Sequence, residues 1–160
     1  VRRDVFLALG GFEERFVHWT EETEYGQRLL GAGYVVRIGV GGLIRHFPAR
    51  VGKYNRRSIR RLTRNNIWFP SLNSPLSWVL PTVAGQTARA LVDGARNPGK
   101  LWAVIEGVPW GLGSVARHWF TRRPMSAEAF KVWMDVRRQK PVKLDQIESR
   151  LPPMLDVRDA

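Results

Sequence analysis

The stretch FVHWTEETEYGQRLLGAG, residues 16–33, gathers three glutamates at the start of one predicted helix: Glu21, Glu22 and Glu24. Thr20 is a suitable N-cap residue, and carboxylates in the first turn that follows are favoured by the helix dipole. Arg28 lies four residues after the last glutamate, which is a favourable i,i+4 spacing for an ion pair. Glycines at positions 31 and 33 predict the end of the helix.

This acidic cluster stands in a strongly basic chain. The 160 residues carry 26 lysines and arginines against 14 aspartates and glutamates, which gives a formal net charge of +12. Residues 25–92 contain no acidic residue. Such a positive field attracts nucleic acid, anionic lipid head groups or a phosphorylated small molecule, and composition alone does not choose among them. The absence of cysteine excludes disulfides, zinc–thiolate sites and thiol nucleophiles.

The beginning of the chain, VRRDVFLALGGFEERF, lacks the layout of a signal peptide because its apolar run is short and interrupted by charge. Position 1 is Val1 rather than methionine, and the sequence therefore predicts a fragment of a longer protein. The apolar share of 44% is enough to form a core, which excludes wholesale disorder.

The remaining elements alternate between predicted helices and strands. A short helix is predicted over residues 4–9, and the runs YVVRIGV (34–40) and LIRHF (43–47) predict strands. Residues 54–68 predict a helix with Ile59, Leu62 and Ile67 on its inner side. The breaker-rich run FPSLNSPLS predicts a linker over 69–77. Helices are then predicted over 80–96, 100–120 and 126–138, followed by an extended, loosely held tail from Lys140.

The stretch LWAVIEGVPWGLGSVA, residues 101–116, is too short and too interrupted to predict a transmembrane helix. Its tryptophans and the cations around it fit a helix that lies in a membrane interface. An ordinary core helix is the alternative, and the two interpretations stay open.

The three glutamates cannot all do the same work. Successive helical residues point about 100° apart, so Glu21 and Glu22 face different directions. Glu22 is followed one turn later by Gly26, which leaves its side open to a ligand. A carboxylate with an open approach in a positive region suits a general base. The alternative is that the glutamates only complement the helix dipole.

Residues 2–39 resemble the C-terminal half of the catalytic domain of inverting family 2 glycosyltransferases. That family reads R-x-x-F-x-x-x-G-G-F-D-E-x-F, then an aromatic residue, an acidic pair, and E/D-[YL]-x-x-R-x-x-x-x-G. The matching residues in this chain are Arg3, Phe6, Gly10, Gly11, Phe12, Glu14, Phe16, Trp19, Glu21, Glu22, Glu24, Tyr25, Arg28 and Gly33. A later histidine and an R-N pair are also typical, and His46 and Arg64-Asn65 stand where they are expected, so the match covers roughly positions 2–69.

The resemblance implies an α/β fold, namely a partial GT-A (nucleotide-diphospho-sugar transferase) fold that lacks its N-terminal nucleotide-binding half. A mainly helical C-terminal region follows it. The implied organisation is residues 1–70 as the C-terminal half of the catalytic domain, 71–123 as a helical, membrane-interface region, and 124–160 as a helix and extended tail. The D-x-D motif of the family is absent from this chain. The isolated chain is therefore expected to be inactive.

The resemblance also implies roles for the residues around the acidic pair. Glu22 takes the position of the base that deprotonates the acceptor hydroxyl, although the family usually has aspartate there, and Glu21 is the reserve candidate. Trp19 is predicted to stack on the acceptor sugar, with a core aromatic residue as the alternative.

A divalent metal, Mn²⁺ or Mg²⁺, is implied on the donor diphosphate, with His46 as a ligand. A lone histidine is otherwise a surface or packing residue. Arg50 and Lys53 are predicted to stabilise the leaving diphosphate. The other arginines of the basic helix are expected to face solvent or anionic lipid: Arg56, Arg57, Arg60, Arg61 and Arg64.

The implied function is an inverting transfer of a sugar from a nucleotide-sugar donor to a hydroxyl of a glycan or lipid-linked acceptor. The motif is similar to those of bacterial rhamnosyl- and galactofuranosyltransferases that build cell-surface polysaccharide. The expected location is the bacterial cytoplasm at the inner face of the plasma membrane, with an anionic membrane surface as a partner. A basic nucleic-acid-binding module and a peripheral membrane or scaffold protein are the alternatives. No nucleic-acid partner is expected, because the acidic cluster would repel its backbone.

Overall fold

The computed structural model describes residues 1–17, 19–35, 55–138 and 143–156, and the regular structure in those ranges is helical. The helices are α1 (Arg3–Ala8), α2 (Glu21–Gly31), α3 (Arg56–Asn73), α4 (Leu76–Arg96), α5 (Pro98–Arg117), α6 (Ala127–Arg137) and α7 (Leu144–Glu148). Two turns of 3₁₀ helix, Glu14–Phe16 and Trp119–Thr121, lie between them.

The predicted α/β class, a partial GT-A fold, is wrong, because the described ranges form helices and contain no strand. Buried residues recur at helical spacing, as in Ile59, Thr63 and Ile67 of α3. That period favours helix-on-helix packing rather than a sheet covered by helices. The two predicted strands, 34–40 and 43–47, lie outside the described residues except for Tyr34 and Val35, which belong to no regular element.

The predicted linker over 69–77 is also wrong, because α3 continues through Pro70 to Asn73. A proline inside a helix removes one backbone hydrogen bond. Trp68, Phe69 and Leu72 are buried in one cluster with Phe16, and this apolar contact keeps the chain helical across the proline.

Helices α3 and α5 approach closely because two glycines of α5 face α3. A Cβ atom at Gly107 would lie 2.6 Å from Cβ of Thr63, and one at Gly111 would lie 2.8 Å from Cβ of Ile67. Only glycine fits at that separation of the two backbones. Helix α4 packs on the same pair, with Val79 and Val83 clustered around Ile67. These three helices form the larger part of the core.

A second layer is built around α2. Tyr25 and Leu29 of α2 pack on Val5 of α1, and Leu30 packs on Phe130 of α6. In the part of the chain that the structure describes, no helix has the length and apolarity that a membrane crossing requires.

The C-terminal segment is held against the end of α2, in contrast to the loosely held tail that was predicted. Leu155 N–H donates to the carbonyl of Ala32 at 3.0 Å, and the Tyr34 hydroxyl donates to the Leu155 carbonyl at 2.6 Å. Gly33 has a φ of +83°, and a Cβ atom there would lie 2.5 Å from the Pro152 carbonyl oxygen. Glycine at position 33 is therefore required both by the backbone and by the tail.

Candidate functional site

The start of α2 is capped differently from the prediction. Thr20 occupies the N-cap position, but its side chain makes no capping hydrogen bond, and its buried hydroxyl oxygen has no partner among the described residues. The Glu21 carboxylate instead accepts a hydrogen bond from the Thr20 backbone N–H at 2.9 Å. Glu21 is thus turned back onto the backbone at the helix start.

Glu24 is fixed inside the fold, with only 3% of its surface exposed. Its carboxylate accepts from Arg28 Nη2 at 2.7 Å and from Asn73 Nδ2 at 2.8 Å, which confirms the predicted i,i+4 pair and adds a partner from α3. Arg28 also donates to the backbone carbonyls of Leu9 and Gly11. Glu24 therefore joins three parts of the chain, and its carboxylate is committed to their hydrogen bonds.

Glu22 is exposed, and the described residues make no hydrogen bond or ion pair with it. Gly26, one turn further along, was predicted to leave this side of α2 open. The structure places an indole there, because a Cβ atom at Gly26 would lie 3.9 Å from Cζ3 of Trp133 in α6. The glycine accordingly gives room to an aromatic side chain rather than to empty space.

The backbone just before the glutamates is in an uncommon conformation. Val17 and Trp19 have φ values of 58° and 69°, in the left-handed region that large and β-branched side chains rarely adopt. Conformations of this kind cost on the order of 1–3 kcal/mol each and cluster at functional sites. Trp19 is half-buried at this bend, directly before the N-cap of α2.

Arg64 corrects the expectation that the arginines of α3 face solvent or lipid. It is buried, and it donates to the Arg15 carbonyl at 2.8 Å and to Ser114 Oγ at 3.2 Å. Its guanidinium carbon lies 4.1 Å from the ring centroid of Trp68. Burial lowers the pKa of Arg64 from 12.5 to about 10, so it remains a cation at neutral pH. Its role is to tie α3 to α5.

Two further arginines of α3, Arg56 and Arg60, form ion pairs with Glu106 of α5. The carboxylate of Glu106 therefore interrupts the positive field on this side of the molecule. The hydrogen bond and charge of Arg56 hold the pKa of Glu106 below its ordinary value.

The predicted metal ligand His46 and the predicted diphosphate-binding residues Arg50 and Lys53 lie outside the described residues. Within the described ranges, no three histidine, aspartate or glutamate side chains come together as a metal-binding group.

Among the cavities that adjoin α2 in the described part of the chain, two bear on the candidate site. A polar cavity of about 420 Å³ is lined by Glu24 and its partners Arg28 and Asn73, and by Glu13 and Arg15. A second cavity of about 280 Å³ lies between α2, α3, α4 and α6, and we call it the aromatic pocket because Phe69, Trp78, Phe130 and Trp133 line it. Sequence reasoning missed this pocket. Its tryptophans stand 55 positions apart, and neither belongs to a motif.

Comparisons with protein-family models, with curated proteins and with solved structures find no match for this chain.

Proposed function

We propose that this chain contributes the acceptor-activating carboxylate of a sugar transferase, with Glu22 as the general base. The observation that carries the proposal is the division of labour among the three glutamates. Glu24 is buried in a structural network, and Glu21 is bonded to the helix start. Glu22 is exposed and uncommitted within the described residues, as a base that must meet an incoming hydroxyl requires.

The proposed reaction is an inverting displacement. Glu22 takes the proton of an acceptor hydroxyl while the oxygen forms a bond to the anomeric carbon of a nucleotide-sugar. The bond from that carbon to the diphosphate breaks, and the nucleoside diphosphate leaves with the electron pair. The acceptor is a glycan or lipid-linked glycan, and rhamnose or galactofuranose is the proposed donor sugar. The order of the sequence motif around Glu22 supports this assignment.

The donor side of the reaction stays a prediction. His46 is the proposed ligand of a divalent metal on the diphosphate, and Arg50 and Lys53 are the proposed cations beside the leaving group. The metal would neutralise the developing charge of the diphosphate. Cations at that point stabilise the transition state for the same reason.

Substitution of Glu22 by glutamine tests the proposal. Turnover is measured as release of nucleoside diphosphate by the product of the complete reading frame that encodes this chain, with rhamnosyl and galactofuranosyl donors. Loss of a general base lowers kcat by about 10²–10⁴-fold. Glu21→Gln is the matched control and should change kcat by less than about tenfold, because its carboxylate is bonded to Thr20. Equal effects of the two substitutions would refute the assignment of Glu22.

A second proposed activity is docking to an anionic membrane surface at the inner face of the plasma membrane. The outward side of α5 carries exposed apolar residues at helical spacing, with Trp102 67% exposed and Ile105 44% exposed. The opposite side of α5 is buried against α3 and α4. Beyond the helix, Phe120 is 95% exposed. A helix with one face in the core and an apolar outer stripe near cations is suited to a membrane interface.

The charge around this stripe favours anionic lipid. Arg96 precedes α5, Arg117 ends it, and both are exposed. Each cation near an anionic surface contributes about 1 kcal/mol. The protein should therefore co-sediment with vesicles that contain phosphatidylglycerol and release from them as salt rises. The double substitution Trp102→Ser and Ile105→Ser should weaken binding at least about tenfold, because it removes the apolar area that inserts. Leu7→Ser, on α1, is the control, and an equal loss in both would contradict this docking face.

A further inference from the structure

Aromatic rings from three helices line one side of the aromatic pocket. The ring centroids of Trp78 in α4 and Phe130 in α6 lie 5.5 Å apart with their planes tilted by 50°. The rings of Phe69 in α3 and Trp133 in α6 meet edge to face with centroids 6.5 Å apart. Each ring is thus fixed by a neighbour from another helix, and the wall is pre-formed before any ligand arrives.

Two buried polar side chains without partners line the same pocket. Gln27 of α2 is 1% exposed and Ser74 after α3 is 0% exposed. The amide oxygen of Gln27 and the hydroxyl oxygen of Ser74 have no hydrogen-bond partner in the described chain. A buried polar atom without a partner is costly, and a ligand in the pocket that donates a hydrogen bond to it would remove that cost. A purely hydrocarbon ligand would leave both atoms unsatisfied.

Three exposed arginines also line the pocket: Arg89, Arg137 and Arg138. The ion pairs found among the described residues involve other arginines, so these guanidinium groups are available for an anion. Arg137 lies over Trp133 with its guanidinium carbon 5.9 Å from the ring centroid. Guanidinium groups bind carboxylates through paired, charge-assisted hydrogen bonds.

We propose that the aromatic pocket binds one saccharide unit that bears a carboxylate, such as a uronic acid residue of a glycan. Ring faces cover the apolar face of the sugar, Gln27 and Ser74 take its hydroxyl groups, and the arginines take its carboxylate. The volume of about 280 Å³ lies just below the usual range for small-molecule sites, roughly 300–1,000 Å³, which fits a single ring.

The pocket lies near the proposed general base, Glu22. The role of the bound sugar in catalysis therefore rests on the proposed function. Trp133 lines the pocket and also lies over Gly26, one helical turn from Glu22 on the same side of α2. Residues four apart on a helix are neighbours at about 5–6 Å between Cβ atoms. Within the proposed function, a sugar held against Trp133 would be the acceptor unit or would adjoin it in the glycan chain.

Calorimetric titration of the chain with methyl glucuronide and with methyl glucoside tests the inference. We expect the glucuronide to bind at least about tenfold more tightly than its neutral counterpart. The double substitution Arg137→Gln and Arg138→Gln, on exposed side chains of the pocket, should remove that preference while near-UV circular dichroism reports an intact fold. Arg57→Gln, on an exposed arginine of α3 outside the pocket, should leave it unchanged. Equal affinity for the two sugars, or an equal loss in the control, would overturn the proposal.

Nucleoside monophosphates are the competing ligand class, because a base also stacks on tryptophan and a phosphate also pairs with arginine. Tighter binding of a nucleoside monophosphate than of the glucuronide would overturn the proposal. Gln27→Leu removes the amide oxygen that is proposed to accept a hydrogen bond from the sugar. It should weaken glucuronide binding by at least about fivefold while near-UV circular dichroism reports an intact fold. Unchanged affinity of Gln27→Leu for the glucuronide would contradict the proposed role of Gln27 in the pocket.

Failure of this inference differs measurably from failure of the proposed function. Glu22→Gln should bind the glucuronide with unchanged affinity, because Glu22 is not part of the pocket. If no saccharide binds and Glu22→Gln still abolishes turnover, the pocket proposal is wrong and the function stands. If the glucuronide binds with the expected selectivity and Glu22→Gln retains turnover, the pocket stands and Glu22 is not the base.

Discussion

The carboxylate of Glu24 accepts a hydrogen bond from Asn73 Nδ2 at 2.8 Å, across 49 positions of sequence. This bond joins the first turn of α2 to the last turn of α3. Because Arg28 donates to the same carboxylate and is itself largely buried, the three side chains form one hydrogen-bonded network centred on Glu24. Networks of this kind are satisfied only when every member is present.

Glu24→Gln should destabilise the protein by about 3–5 kcal/mol, because it leaves the buried charge of Arg28 without its partner. Urea-induced unfolding followed by circular dichroism measures the loss. Glu22→Gln, two positions earlier and exposed, is the control and should stay within about 0.5 kcal/mol of the native protein. Coincident unfolding curves for the two variants would show that Glu24 does not hold the helices together.

Gly107→Ala and Gly111→Ala should each destabilise the protein by about 1–3 kcal/mol, because the added methyl group overpacks the contact between α5 and α3. Gly113, in the same helix, has no atom within 4 Å of the position that a Cβ would take. Gly113→Ala should therefore stabilise the protein by about 0.5–1 kcal/mol through helix propensity alone. Thermal unfolding of the three variants checks the contrast in sign.

Arg64→Lys should cost about 2 kcal/mol although the charge is kept. The planar guanidinium bonds to the Arg15 carbonyl and Ser114 Oγ while it stacks on Trp68, and a lysine ammonium cannot do all three. Arg57→Lys, on the exposed side of α3, is the matched control and should be nearly neutral. Chemical unfolding of both variants gives the comparison, and a neutral result at position 64 would contradict a structural role for this arginine.

His118 should make stability depend on pH. Burial, together with Arg15 and Arg64, lowers the pKa of His118 beneath its ordinary value of 6.5. Arg15 Nη1 lies 2.8 Å from its Nδ1, an arrangement in which the neutral ring accepts the bond. The unfolded chain therefore protonates His118 more readily than the folded protein does. The contribution of neutral His118 to folding stability is complete above about pH 6.5 and decreases as the pH falls below that value.

Unfolding midpoints at pH 7.5 and pH 5.5 measure this loss in the native protein and in His118→Gln. The amide oxygen of glutamine can accept the bond from Arg15 but does not titrate. We expect the midpoint of the variant to fall less between the two pH values. An identical decrease in both proteins would assign the acid sensitivity to other groups.

Local chemistry made α2 and α6 predictable. Helix α2 begins at the glutamates after Thr20 and ends at Gly31, as the sequence predicts. Ser126 caps α6 at the position where the sequence predicts that helix to begin. The i,i+4 pair of Glu24 and Arg28 was visible for the same reason. These features depend on residues within about one helical turn of each other.

The class of the fold was not predictable from the same signals. A family resemblance favoured the α/β class, whereas the regular structure of the described residues is helical. The end of α3 was missed because Pro70 and Asn73 are turn residues by composition. Burial of the aromatic side chains around them outweighs that local preference.

Distance in sequence also concealed part of the site. Glu22 was proposed as a site residue from its position in the acidic cluster, whereas no pattern in the sequence indicated the aromatic pocket. The pocket is lined by Trp78 of α4, Trp133 of α6 and Gln27 of α2. No spacing rule connects such positions, because packing between helices brings them together.

The contact between the C-terminal segment and the end of α2 affects the order in which the chain can fold. Tyr34 and Leu155 are hydrogen-bonded across 121 positions, so closing this contact is entropically expensive and comes late. During synthesis this contact cannot form until Leu155 has left the ribosome. A product that ends before Pro152 would lack the contact and would leave the end of α2 exposed to proteolysis.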